Sequence, residues 1–306
     1  MAAEAVLVHD IAPPHPRYTQ LTQMAADVAR RTQGMLSIAI NPGGQVLYPG
    51  QASLDAVRSG RVPLTFVNSA FLQSVDPDLG FLNLPFTITD ALVARPGMAE
   101  AVLGLVRSYV EPHGLKALAM MRGADTIIIF RSRQLRAPDD LRGLKIRVAG
   151  PGVYQDIVRS LGAEPVIFPA IEMGAALARG AMDGIITSPG GWGKNVHDAP
   201  SGSSVPGLLF YTYFLIADAA WLGALPAVEQ KALSEAARAT VTDKWSEMQS
   251  DDARLVAELV ARGARHSAVP ADALASWKAR TDSVTRAFGA AHPEAMRRFR
   301  AVAGAQ

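Results

Sequence analysis

Two stretches of this chain repeat one alternation of short apolar runs and glycine-stopped amphipathic segments, and that repetition leaves few folds open. In the first, Ala5–Val8 reads as a strand and a loop runs from His9 to Pro16. Leu21, Met24, Ala25 and Val28 then recur at helical spacing until Gly34. Leu36, Ile38 and Ile40 alternate as a strand, a helix runs from about Gln51 to Ser59 with Gly60 as its stop, and Val62–Val67 closes the unit. In the second, Leu144–Val148 is the strand, Val153–Leu161 the helix stopped by Gly162, and Val166–Phe168 the next strand. Ile171–Arg179 is the second helix, stopped by Gly180, and Gly184–Thr187 is the closing strand. The junctions Val57-Arg58-Ser59-Gly60-Arg61-Val62 and Leu177-Ala178-Arg179-Gly180-Ala181-Met182 read almost as copies.

Each stretch is a β-α-β-α-β unit, which right-handed crossovers turn into a parallel sheet flanked by helices. The fold class is therefore α/β, with two lobes of similar design, each a mainly parallel sheet covered by helices. Leu115–Met121, Thr126–Phe130 and Leu208–Ala217 supply strands that cross between lobes. This places 1–122 with 208–249 in lobe I and 123–207 with 250–306 in lobe II. No Gly or Pro interrupts the helical composition between Pro226 and Arg262. About 37 residues of helix would span roughly 55 Å, long enough to brace both lobes near the C-terminus. Helical pattern resumes from Ala271 to His292.

In open α/β sheets ligands sit beyond the carboxyl ends of the strands. That rule selects His9, Asp10, Asn68 and Ser69 from the first unit, and Arg147, Phe168, Thr187 and Ser188 from the second. Arg147 is the strongest candidate, because a planar, permanently charged fork beside the flexible turn Gly150-Pro151-Gly152 suits bidentate grip of a carboxylate. A surface strand arginine paired with a nearby acid is the plainer alternative. Asn68 reads either as a satisfied turn residue or as a donor to an anion. Trp192, Tyr211 and Tyr213 read either as core or as walls of the ligand crevice, and His9, Asp10 and His15 as loop polarity or acid–base machinery.

Composition removes several functions. The net charge is +2 and no basic block interleaves with aromatics, so nucleic acid is not an expected partner. Cysteine is absent, which excludes disulfides, thiol nucleophiles and cysteine metal sites. The six histidines are scattered without a ligand spacing, so neither a metal nor a cofactor is expected. Gly190-Gly191-Trp192-Gly193-Lys194 fails as a phosphate loop, since Ser188 and Asn195 stand where Gly and Ser/Thr are needed. No apolar run approaches the roughly 18 residues of a membrane span. Met1-Ala2-Ala3-Glu4 has no signal-peptide pattern, so the expectation is either a cytosolic chain or a mature periplasmic form whose leader has been replaced by Met.

Asp140-Leu141-Arg142-Gly143-Leu144-Lys145-Ile146-Arg147-Val148, then Leu161-Gly162-Ala163-Glu164-Pro165, then Ala176 to Gly184 with its Asp183-Gly184, form a spaced set of motifs. With Leu84-Pro85-Phe86 and the Asn41-Pro42 that follows Gly34, this set resembles the solute-binding subunits of TRAP (tripartite ATP-independent periplasmic) transporters, the DctP-type family, over nearly the whole chain. The resemblance implies a two-lobed periplasmic-binding-protein-like fold and a periplasmic, non-enzymatic receptor that closes on an organic acid and hands it to membrane permease subunits. It implies that Arg147 salt-bridges the ligand carboxylate, that Asn68 faces the ligand, and that Thr187 and Ser188 lie at a further contact position. The chain departs from sialate-type members, which carry a second arginine where Ile127 stands; Arg122 and Arg131 do not align with it. An aromatic of the family falls near Ala170, with Phe168 close by. With one cation and several aromatics, the expected ligand is a monocarboxylate with an apolar, aromatic, hydroxy or keto body, bound by a monomer. The rival expectation is a cytosolic α/β enzyme using His9, Asp10 and Arg147 on a small acid; a sensor is a third.

Overall fold

Both repeated units fold as read, and each builds the parallel part of its own sheet. The computed structural model describes residues 3–11, 13, 15–44 and 46–304. Met1 and Ala2, on which the reading of the N-terminus partly rests, lie outside them, as do Ala12 and Pro14 of the first loop. The strands are β1 (Ala3–Val8), β2 (Leu36–Ile40), β3 (Leu64–Asn68), β4 (Leu115–Asp125), β5 (Ile127–Phe130), β6 (Lys145–Val148), β7 (Glu164–Ile167), β8 (Gly184–Thr187), β9 (Ser201–Ser204), β10 (Phe210–Asp218) and β11 (Arg265–Ala268). One sheet has the order β2-β1-β3-β10-β4 and the other β11-β9-β5-β8-β6-β7. β1 pairs in parallel with β2 and β3, and β6 with β7 and β8. The crossing strands β10 and β5 enter antiparallel, so both sheets are mixed.

The two lobes join where β4 leaves the first sheet at Asp125 and β5 enters the second at Ile127. The return crossing runs from Ser204 to Phe210. The two crossings are tied together, because the Thr126 amide and hydroxyl both donate to the Leu209 carbonyl, at 3.2 and 2.8 Å. Just before the crossing, Gly123 is the extra residue of a bulge between Ala124↔Tyr211 and Arg122↔Thr212. A Cβ there would lie 2.5 Å from the Tyr211 carbonyl oxygen, so only glycine fits.

The helix Pro16–Arg31 buries Leu21, Met24 and Val28 against the first sheet, in one cluster with Leu7, Phe66 and Leu215. Ile127, Ile129, Met173, Leu177, Trp192 and Leu259 form the core on one face of the second sheet. A third cluster runs through both lobes, from Val67, Val102 and Phe214 to Phe130, Ile146 and Ile157.

The single long helix expected between Pro226 and Arg262 is broken. Ala227–Ala237 is followed by a π-helical turn, Arg238–Thr242, and then by a second helix, Trp245–Ala261. The Thr240 hydroxyl donates to the Ala236 carbonyl at 2.6 Å inside this turn, and such back-bonding bends a helix. The break re-aims the buried stripe: Leu233, Ala237 and Val241 pack on the first lobe, while Leu259 joins the core of the second. Bracing of both lobes therefore falls to Trp245–Ala261, which touches β4 on one side and β11 and the helix Pro189–Asn195 on the other. The last helix, Pro293–Ala303, returns to lobe I against Met98–Val110, although it lies within the 250–306 segment that we propose as part of lobe II.

Where Trp245–Ala261 meets lobe I, it carries Asp252 into a buried ion cluster. Arg17 donates to both Asp252 oxygens at 2.9 Å, and Arg122 donates to Asp252 as well as to Asp90, the latter at 2.6 and 2.7 Å. Arg17 also donates to the bulged Gly123 carbonyl, and the Trp245 indole N–H donates to Asp90 at 2.9 Å. Arg122 is therefore committed to this cluster and does not line the cleft.

Candidate functional site

The strand ends selected by the sheet rule meet across a cleft of about 310 Å³. Asp10 comes from the end of β1, Asn68 from the end of β3, Arg147 from β6, Thr187 and Ser188 from the end of β8, and Tyr211 and Tyr213 from β10. The lobes touch on two sides of it. A Cβ on Gly150 would come within 2.7 Å of the Ala70 Cβ, and one on Gly190 within 2.4 Å of His15 Nε2.

Arg147 lies in the middle of its sheet, between Val166 of β7 and Ile185 of β8, and is 3% exposed. Its Nε and Nη2 donate to the Phe168 carbonyl at 3.0 and 2.9 Å, and Nη1 donates to the Ile186 carbonyl at 3.3 Å. A guanidinium has five N–H groups. Three are used, which leaves one on each terminal nitrogen. Burial pulls the Arg147 pKa below its usual value, opposed by the nearby Tyr211, Asp10 and Tyr213, and among the described residues no carboxylate forms an ion pair with it. The site holds a desolvated positive charge whose backbone partners fix its orientation.

Asp10 faces the same cleft. Burial raises its pKa, while Arg147 and its own backbone N–H lower it. Asn68 caps the short helix Ser69–Leu72: its Oδ1 accepts from the Ala70 N–H at 2.9 Å, while its buried Nδ2 has no partner. Ser188 caps Pro189–Asn195 by accepting from the Gly191 N–H at 3.0 Å. The Tyr211 hydroxyl donates to the Ile186 carbonyl at 3.0 Å, and burial raises its pKa to about 12, so it stays a neutral donor. Burial raises Tyr213 in the same direction.

Four residues selected from the sequence stand elsewhere; Ser69 is buried, its hydroxyl donating to Asn83 Oδ1 at 2.6 Å. His9 is buried behind the cleft, where its Nδ1 accepts from the Ile11 N–H at 2.9 Å; burial lowers its pKa to about 4, so it is neutral. Trp192 is fully buried in the second core with its indole N–H on the Ala199 carbonyl at 3.0 Å, because it lies on the inward face of its helix. Phe168 contributes its carbonyl to Arg147, while its ring stacks under Arg179. It follows β7, the edge strand of its sheet, which leaves the ring outside the cleft.

Other lining residues fall outside the strand-end rule, among them His15, which the sequence offers only as loop polarity or acid–base machinery. His15 caps Pro16–Arg31 by accepting from the Arg17 N–H at 3.2 Å, and burial with nearby Arg17 lowers its pKa to about 3. Lys194 and Asn195 arrive on the helix that opens at Ser188-Pro189, a cap-and-proline start that sequence could have revealed. Lys194 is exposed and adds a second cation at the rim. Phe71, Ile171 and Met173 supply apolar wall.

Among the described residues no histidine, cysteine and carboxylate group has the arrangement of a metal site, and no helix is long and apolar enough to cross a membrane. The family model of the bacterial extracellular solute-binding proteins, family 7 (DctP), matches residues 7–291. A solute-binding protein of Verminephrobacter eiseniae is 25% identical over 245 residues, covering 78% of this chain and 71% of that protein. Among solved structures, a TRAP periplasmic solute-binding protein from Sulfitobacter with bound β-D-galacturonate has a TM-score of 0.89 at 15% identity, over 99% of this chain and 100% of that one. Another, from Sulfurospirillum deleyianum with bound succinate, has a TM-score of 0.88 at 17% identity over 100% of both chains. These likenesses share the two-lobed fold, and a solute-binding family leaves the enzyme alternative without support. The match over residues 7–291 makes this chain a member of the DctP family of bacterial extracellular solute-binding proteins.

Proposed function

We propose that this chain is a monomeric periplasmic receptor that closes its lobes on a small monocarboxylate and delivers it to a TRAP membrane permease. The observation that carries the reading is the state of Arg147: buried, oriented by two backbone carbonyls, unpaired with any carboxylate among the described residues, and left with one free N–H on each terminal nitrogen. That is the donor pattern a carboxylate accepts with both oxygens. Buried charge without a partner is costly, so the ligand anion completes the site. A second ligand carboxylate would meet Asp10, and the remaining lining cation, Lys194, is exposed and hydrated. Among the structural neighbours one holds galacturonate, with one carboxylate, and one holds succinate, with two; the Asp10 wall favours the first kind here.

Calorimetry against lactate, mandelate, galacturonate, succinate and malate tests this. Monocarboxylates should bind. Arg147→Ala should weaken them by about 10²–10⁴-fold, corresponding to about 3–5 kcal/mol for an unpaired buried ion. Arg147→Lys should also bind poorly, because an ammonium lacks the planar fork. Submicromolar succinate with silent monocarboxylates would overturn the reading.

A further inference from the structure

We infer that Asp10 and Asn68 together select a ligand hydroxyl, so that the acid this receptor takes is a hydroxy acid rather than an unsubstituted or amino acid. The inference rests on Arg147 as the carboxylate anchor and adds what the rest of the ligand must carry.

Asp10 lines the cleft and is half-buried. Among the described residues its side chain makes no ion pair and accepts no hydrogen bond from another residue; the N–H that lowers its pKa is its own. Arg147 is close enough to act on it electrostatically but does not contact it. Closing the cleft on a ligand would take the remaining water from this acceptor, and an acceptor left there without a donor costs as much as an unmade buried hydrogen bond. On the neighbouring strand, Asn68 presents the opposite deficit. Its Oδ1 is committed to the helix it caps, and its buried Nδ2 closes no hydrogen bond of good geometry, although the Tyr154 and Tyr213 hydroxyls lie near enough for Asn68 to hold their pKa values down against burial. Tyr213 lies within reach of both groups, being perturbed by the Asp10 charge and by Asn68.

The cleft thus offers one unmet acceptor and one unmet donor on adjacent strand ends. A hydroxyl donates and accepts at once. An ammonium only donates, which serves Asp10 and leaves Asn68 unmet. A keto oxygen only accepts, and a second carboxylate is repelled.

The test is a set of matched acids, each measured by calorimetry on the full chain: lactate with propionate and alanine, mandelate with phenylacetate and phenylglycine, 2-hydroxyisocaproate with 4-methylpentanoate and leucine, and succinate alone. We expect a hydroxy acid to bind at least 10-fold tighter than its unsubstituted and amino partners. Asp10→Ala should erase that ratio by weakening the hydroxy acid while sparing the unsubstituted one. Asp10→Asn, which keeps an acceptor and folds with nearly the same volume, should keep the ratio and admit succinate. Equal binding of unsubstituted acids, abolished by Arg147→Ala, would overturn the role of Asp10 and Asn68 while leaving the anchor standing. Tighter binding of the amino acids would replace hydroxyl with ammonium. Binding that survives Arg147→Ala would remove the anchor itself, and silence from every hydroxy acid at millimolar concentration would overturn the inferred ligand class.

Discussion

Asp252 is a carboxylate that its helix carries into the interior, 5% exposed, where it receives three donors from Arg17 and Arg122. Asp252→Ala would leave Arg17 buried without its counter-ion and should cost about 3–5 kcal/mol, read as a lower urea midpoint. A loss below 1 kcal/mol would show that water replaces the pair. Asp125 behaves differently. Both its oxygens accept from the single Gly207 N–H at 3.1 Å, and burial, with Asp90 nearby, raises its pKa to about 7 from an ordinary 3.8. The folded chain therefore holds a proton that the unfolded chain sheds. That contribution to stability is complete below pH 3.8 and is lost as pH rises through about 7. His9 and His15 act in the opposite sense, stabilising above 6.5 and losing that contribution as pH falls toward about 4 and about 3. Comparing Asp125→Asn with wild type cancels the histidines. The variant should gain stability relative to wild type at pH 8 more than at pH 5, and a gap independent of pH would reject the assignment. Neither carboxylate was legible in the sequence, because each is defined by partners 82 to 235 residues away and by burial.

At the scale of elements, two glycines decide how closely the lobes approach. Gly150 follows β6 and meets Ala70, and Gly190 starts a helix against His15. Neither has a left-handed backbone, so a substitution there strains the contact and not the local fold. Gly150→Val should hold the cleft open, at about 1–3 kcal/mol of overpacking or roughly 5–150-fold in affinity, and by the same factor for every ligand. A changed ranking of ligands would instead mean that the loop touches them. The strands and helices of the two repeats were legible because their period is local. The π-helical turn at Arg238–Thr242 was not, since it arises where the buried stripe must pass from one lobe to the other. The same holds for Trp192: helical spacing says that it repeats, but not which face turns inward.

The whole molecule is two sheets joined by paired crossings and a helix that touches both, with the candidate ligand groups divided between the lobes. Binding should therefore lower the radius of gyration measured by small-angle scattering with a bound hydroxy acid or galacturonate. An unchanged value at saturation would count against lobe closure.

The sequence alone determined the α/β class, the two repeated units, the placing of Arg147, Asn68 and Asp10 at strand ends, and the family, because each of these rests on periodicity or on a short contiguous motif. Tertiary structure alone decided the rest. It spent Arg122 on Asp90 and Asp252, turned Trp192 and His9 inward, and brought His15 and Lys194 to the cleft. A side chain's place across a cleft is set by contacts between segments far apart in the chain, and those contacts leave no local period to read.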